Sequence, residues 1–257
     1  GIGASNGTMA HVKEVLEETY KGIYVLAPII GNGGETSIFS SLSSQIKELC
    51  DAVKSDPTIN GQAINLMGMS QGGVIARAFA EQCEEVTVNN LILWVSPQGG
   101  QYGVPKLDNS TLNTILEAIA DCCVYDEIVQ DTLSFPAYWK DPFNLPGYIK
   151  ANPILAQIDN QVVKNSAYKN RILGLKNLVM SYSLVDEVLI PKETGWWGEY
   201  APKQDKEVVA LETLPIWKED WIGLRNLSET GRLHKFTTTC PHGDYYSNCF
   251  DKYFDAN

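Results

Sequence analysis

The feature that most restricts this chain is the stretch at positions 64–75, Ile-Asn-Leu-Met-Gly-Met-Ser-Gln-Gly-Gly-Val-Ile. Apolar residues with strand character run into Gly68-x-Ser70-x-Gly72, and an alanine-rich helical pattern follows at once. A strand that becomes a helix through a single residue leaves that residue exposed at the carboxyl edge of a sheet. The turn is tight enough that side chains two before and two after the serine are expected to collide, which accounts for Gly68 and Gly72. The amino terminus of the helix also turns backbone NH groups and a positive dipole end toward any oxyanion formed there. Ser70 is therefore the candidate nucleophile.

The rest of the chain agrees with a mostly parallel sheet flanked by helices, because short apolar runs alternate with longer helical periods. Met9, Val12, Leu16 and Tyr20 share a helical face, and residues 23–27 read as a buried strand. Leu42, Ile46, Leu49 and Val53 form a second helical face, residues 63–67 a strand, 72–82 a helix and 90–95 the next strand. After Pro97 the alternation stops. Residues from about 100 to 175 carry helical patterns rich in aromatics, including Phe135, Tyr138 and Trp139, and read as an insertion. Strand character returns at 178–184, 208–211 and 233–238, with a helical stretch at 219–227 and a final helix at 245–254. The fold class expected is the α/β-hydrolase fold in one domain over residues 1–257. Gly1-Ile2-Gly3 reads as the loop after a strand, so the first strand is expected upstream of Gly1.

In this fold the acid and then the base follow the nucleophile along the chain. Of the three histidines, His11 precedes Ser70 and drops out, whereas His234 lies inside the alternating pattern of a strand. His242 follows that strand in a loop, where a base belongs, and is the favoured choice. The strand at 178–184 leads directly into Asp186, the candidate acid, with Glu187 beside it as the rival. His242 would take the Ser70 proton, Asp186 would fix the imidazole tautomer, and an acyl group would pass to Ser70 and then to water. The backbone NH groups of Gln71 and Ile2 are the expected oxyanion donors. This chemistry serves an ester or a thioester, since a thiolate leaves more readily than an alkoxide. The dispersed histidines lack metal-ligand spacing, so neither a metal nor another cofactor is expected.

Charge and chain route narrow the partners. Twenty Lys plus Arg against 31 Asp plus Glu give a net charge of -11, which disfavours nucleic acid. The apolar runs fall far short of the roughly 20 residues of a spanning helix, so no membrane span is expected. Six cysteines and the glycosylation sequons at Asn6, Asn109 and Asn226 point to the secretory route.

The Gly68-Met69-Ser70-Gln71-Gly72-Gly73 segment, Gln98-Gly99, Tyr138-Trp139-x-Asp141-Pro142, Ile158-Asp159-Asn160-Gln161 and Trp196-Trp197-Gly198-Glu199-Tyr200 occur in an order that resembles the palmitoyl-protein thioesterase family. The resemblance extends over nearly the whole chain. It implies a lysosomal or secreted enzyme that removes palmitate from S-acylated proteins or peptides and accepts acyl thioesters such as palmitoyl-CoA. It implies a triad on Ser70, Asp186 and His242. It also implies an apolar acyl groove in the insertion, to which Gln98, Trp139 and Val188 are assigned together with Ile2. A family disulfide falls on Cys50 and Cys83. Cys240 and Cys249 are close enough to staple the His242 loop, while Cys122 and Cys123 are open to a vicinal bridge, a crossed pairing or free thiols. An oxyester lipase and an inactive lipid-binding relative remain as alternatives.

Overall fold

Four parallel strands carry the molecule. In the computed structural model, which describes residues 8–31, 37–104, 110–247 and 249, α1 (Thr8–Thr19) and α2 (Leu42–Ser55) precede β1 (Ala63–Met69), α3 (Gln71–Gln82) and β2 (Thr87–Trp94). The helical stretch read from the sequence as an insertion contains α4 (Ser110–Cys122), α5 (Glu127–Thr132), α6 (Leu145–Ala151), α7 (Ile154–Ile158) and α8 (Ser166–Leu173). It leads to β3 (Asn177–Ser183), followed by β4 (Glu199–Tyr200), β5 (Val208–Val209), α9 (Pro215–Lys218), α10 (Leu224–Glu229) and β6 (Leu233–Thr238). The main sheet has the order β1-β2-β3-β6, and every neighbouring pair is parallel. Parallel pairs need crossover connections, which here are the helices that cover the sheet, so the architecture is that of an α/β-hydrolase.

The core forms where α3 lies against the sheet. Val74, Ala78 and Phe79 are fully buried, as are Leu91, Leu93, Leu178 and Met180 on the strands beneath. Alanines at 76, 78 and 80 remove bulk from the helix, and small side chains let it lie close to its neighbours. A disulfide between Cys50 and Cys83 ties the ends of α2 and α3 together, with Cα atoms 5.9 Å apart. Cys240 is joined to Cys249, and Cys122 to its neighbour Cys123, so the vicinal bridge is the arrangement adopted of the three left open by the sequence.

A polar ladder runs across the whole sheet away from its carboxyl edge. Asn90 donates to Asn65 at 2.7 Å, Asn177 donates to Asn90 at 2.8 Å, and His234 Nε2 stands 2.8 Å from Asn177 Oδ1. The side chain of His234 thus terminates this ladder and is exposed rather than half-buried.

Two expected strands change. Residues 23–27 form no helix or strand, with Ile23 and Tyr24 41% and 44% exposed. An apolar pattern becomes a strand only when a ladder partner is present, and among the described residues this segment pairs with none. The strand expected at 208–211 contracts to β5, which pairs antiparallel with β4 outside the main sheet. A 3-10 turn runs over His242–Tyr246, and most of the helix expected at 245–254 lies outside the described residues, which exclude 248 and 250–257.

Arg171 of α8 finishes α3. Its guanidinium donates to the carbonyls of Ala80 (2.5 Å) in the last turn of α3 and of Cys83 (2.8 Å), Glu84 (3.1 Å) and Val86 (2.6 Å) in the connection to β2, tying the helix end to the loop that follows. Arg171→Ala is expected to lower unfolding free energy by about 2–4 kcal/mol in chemical denaturation, because charge-assisted bonds to several carbonyls go at once. Arg171→Lys recovers only part of it, since an ammonium cannot reproduce the fork.

Candidate active site

Ser70 occupies the turn between β1 and α3 with φ 54° and ψ -133°, a combination that L side chains rarely adopt. Its NH donates to the Trp94 carbonyl at 3.0 Å and its own carbonyl accepts from Gly73 NH at 2.9 Å, so neighbouring backbone holds the turn from both sides. The glycine pattern acts differently from the sequence expectation. A Cβ on Gly68 would lie 2.3 Å from the Gly72 carbonyl oxygen, so Gly68 is required. A Cβ on Gly72 meets nothing within 4 Å, because it projects away from the strand. The crowded position on the helix is Gly73, whose Cβ would come within 2.4 Å of Ser96 Oγ.

The three candidate catalytic side chains leave the carboxyl ends of β1, β3 and β6 and meet there. His242 Nε2 lies 3.0 Å from Ser70 Oγ, and His242 Nδ1 lies 2.8 Å from Asp186 Oδ2. Asp186 is buried, and its other oxygen accepts from the NH groups of Val188 and Leu189, both at 2.9 Å. One carboxylate oxygen therefore organises its own loop while the second faces the imidazole. Glu187 is exposed and makes no part of this chain.

Several residues that hold the site were not picked out from the sequence. Ser183, fully buried at the end of β3, donates to the Cys240 carbonyl at 2.6 Å and accepts from Val185 NH at 3.2 Å, so one hydroxyl joins the Asp186 loop to the His242 loop. Gln101 donates to the Val188 carbonyl at 3.0 Å and accepts from Ile190 NH at 3.2 Å, clamping the far side of the Asp186 loop. Tyr245 packs edge-on against Trp94 with ring centroids 5.5 Å apart and bonds to Thr238 through its hydroxyl. Only the buried polar character of these positions sets them apart, and burial is not visible in a serine or glutamine read in isolation.

Gln71 opens α3, and its side chain faces inward. Its amide donates to the Ser37 carbonyl at 2.9 Å and to Gln45 at 3.2 Å, and its carbonyl oxygen accepts from Ser134 at 2.9 Å and from Tyr138 at 3.0 Å. Burial pushes the Tyr138 hydroxyl up, which keeps it protonated and a donor. The network locks the first residue of the helix while its backbone NH belongs to the unsatisfied first turn. Ile2, the other expected oxyanion donor, lies outside the described residues, as do Asn6 and Asn109. Asn226 is exposed on α10.

Two of the residues expected in the groove are buried. Gln98 and Trp139 are 0% and 4% exposed, the first bonded to Ser96 and the second packed between Tyr102 and Phe135, so neither borders an open channel. Aromatic residues in the insertion pack against one another because that buries more apolar surface than lining a groove. Val188 alone of the three is partly exposed. An open cleft of about 340 Å³ lies beside Asp186, bordered by Leu189, Ile190, Pro191, Tyr200 and Val208 together with the charged Lys192, Glu193 and Lys206. Among the described residues no group of three or more His, Cys, Asp or Glu could hold a metal ion, and no helix is long and apolar enough to cross a membrane.

The family model described as palmitoyl protein thioesterase matches residues 1–242. The chain is 40% identical over 246 residues to palmitoyl-protein thioesterase 3 of Dictyostelium discoideum, covering 95% of this chain and 83% of that protein. It is 32% identical to palmitoyl-protein thioesterase 1 of Caenorhabditis elegans, covering 88% and 78%. It is 29% identical to a lysosomal thioesterase PPT2 homolog of Drosophila melanogaster, covering 91% and 80%.

The elbow makes a distinct prediction. Gly68→Ala and Gly73→Ala each lower the thermal midpoint, Gly68→Ala the more severely because its obstacle is backbone. Gly72→Ala stays within about 0.5 kcal/mol of the wild type, as expected for an uncrowded helical site. Ser96→Gly restores part of the loss in Gly73→Ala and none of it in Gly68→Ala.

Proposed function

Because the chain belongs to the palmitoyl protein thioesterase family, we propose that it removes long-chain acyl groups from cysteine thioesters through Ser70, His242 and Asp186. The enzyme is a thioester hydrolase. The observation that carries the residue assignment is the unbroken hydrogen-bonded chain from Ser70 Oγ through both nitrogens of one imidazole to Asp186.

His242 Nε2 accepts the Ser70 proton as Oγ attacks the thioester carbonyl, and Asp186 keeps the proton on Nδ1 so that Nε2 is the free acceptor. The tetrahedral oxyanion is met by the Gln71 backbone NH at the start of α3, with Ile2 as the second donor. The imidazolium then gives its proton to the departing thiolate, which leaves as a thiol. Water, deprotonated by the same imidazole, attacks the acyl-Ser70 ester and releases the fatty acid. The positive φ of Ser70 serves this sequence by holding Oγ clear of the sheet edge before substrate arrives.

S-acylated proteins or peptides are the substrates of this reading, and palmitoyl-CoA is a soluble surrogate. The compartment is a lysosome or the extracellular space. Three disulfides and the exposed sequon residue Asn226 support that route, as does the likeness to a relative named as lysosomal.

Hydrolysis of palmitoyl-CoA and of an S-palmitoyl peptide by wild type, Ser70→Ala, His242→Ala and Asp186→Asn tests the assignment. Loss on the order of 10⁶-fold in kcat is expected for Ser70→Ala and about 10⁴-fold for Asp186→Asn. Full activity in Ser70→Ala overturns it. Cleavage of oxyesters alone by the wild type makes the enzyme a lipase, and cleavage of neither makes it an acyl-binding relative.

A further inference from the structure

A set of ionisable side chains is sealed between the helix that follows Ser70 and the helical stretch after β2. Arg77 and Glu81 stand one turn apart on α3, each 1% exposed, and Asp159 at the end of α7 is 3% exposed. The guanidinium is engaged with Asp159. Arg77 Nη1 donates to Asp159 Oδ1 at 2.6 Å, the Trp197 indole NH reaches the same oxygen at 3.3 Å, and the indole ring lies 4.9 Å from Arg77 Cζ.

Glu81 is left with far less. Its Oε1 lies 4.0 Å from Arg77 Nε, an ion-pair distance beyond hydrogen-bond reach, and among the described residues neither of its carboxylate oxygens, nor Arg77 Nε and Nη2, has a hydrogen-bond partner. The groups around it do not make up the difference. Arg171 on α8 is engaged with four carbonyls at and just beyond the end of α3, Asp159 carries like charge, and Tyr168 on α8 is held protonated by burial. Two buried carboxylates thus face a guanidinium already bound to one of them. Ionising the second places an uncompensated charge in the core, at a cost of several kcal/mol, whereas a neutral carboxylic acid is tolerated.

We propose that Glu81 is a proton-held joint between the nucleophile helix and the helices packed on it, neutral in the folded enzyme, so that acid tightens this attachment and alkaline conditions loosen it. Burial drives the Glu81 carboxyl well above the ordinary carboxylate range, with Arg77 opposing, Asp159 reinforcing and Arg171 opposing. The folded state keeps a proton that the unfolded chain releases near pH ~4.3. The resulting stabilisation is complete below that pH and is lost as pH rises through the folded value. The joint is matched to an acidic compartment and is independent of which thioester is cleaved.

Thermal unfolding of wild type and Glu81→Gln from pH 4 to pH 8.5 tests the proposal, because glutamine copies the neutral acid and cannot ionise. The two midpoints should coincide within about one degree at pH 4, below the unfolded value, and diverge as pH rises. At pH 8.5 the variant should exceed the wild type by roughly 3 °C or more, the size of shift that about 1 kcal/mol produces in a chain of this length. In the same variant the alkaline limb of the hydrolysis pH profile moves upward. A difference that is the same at every pH overturns the proposal. Infrared spectra of ¹³C-glutamate-labelled wild type give a second reading that needs no variant. A protonated glutamate carbonyl band at pH 7 supports the proposal, and its absence overturns it.

Discussion

The backbone of Gly68 passes so near Gly72 that a methyl group added to it would sit 2.3 Å from the Gly72 carbonyl oxygen, and the placement of Ser70 follows from that approach. A strand can enter a helix within one residue only if no side chain stands between the two, and the residue at the corner must accept a positive φ. The local cost is offset by what surrounds it. β1 is paired along its length with β2, the Ser70 NH is bound by Trp94, and α3 is buried through nearly its whole length. A strained serine persists because the packing around it leaves the backbone no alternative.

The same helix links catalysis to the rest of the molecule. Its first residue is locked by the Gln71 network, its last turn is capped by Arg171 and tied by Cys50–Cys83, and its middle is joined through Arg77 to Asp159. The acid and base loops have their own connection in Ser183, one buried hydroxyl bonded to both. Ser70, His242 and Asp186 therefore sit on three strand ends whose relative positions are set by hydrogen bonds beneath them rather than by contacts among the three alone. Preorganisation of this kind removes the cost of ordering the groups when substrate binds.

Much of the fold was legible in the amino-acid pattern because period and turn chemistry are local properties. The elements at 42–55, 63–69, 71–82 and 87–94 follow directly from apolar spacing and the glycine-rich corner. Where the reading failed, a non-local partner was the missing quantity. Residues 23–27 carry an apolar run but no ladder, and the run at 208–211 pairs for only two residues. Gly72 belongs to the recognisable motif, yet the steric limit falls on Gly73, because the obstacle is Ser96 on the next strand connection. Gln98 and Trp139 are closed in the core, since an aromatic-rich insertion satisfies its apolar surface internally.

The amino-acid sequence by itself determined the strand-to-helix corner, its serine and the order in which parallel strands and helices succeed one another. These depend on φ preferences and spacing within a few residues, which a linear pattern records. Tertiary structure decided which histidine stands at that serine, 172 residues away in the chain, and which carboxylate stands at that histidine, 56 residues away. His234 ends an asparagine ladder away from the carboxyl edge, Glu187 points to solvent, and His242 and Asp186 meet Ser70 because parallel pairing brings three strand ends together. It also decided that Glu81, an ordinary charged residue in the pattern, would be closed away from water beside an arginine it shares with Asp159, with no hydrogen bond to its carboxylate among the described residues. Burial and pairing between distant segments are properties of the packed chain, and no local spacing encodes them.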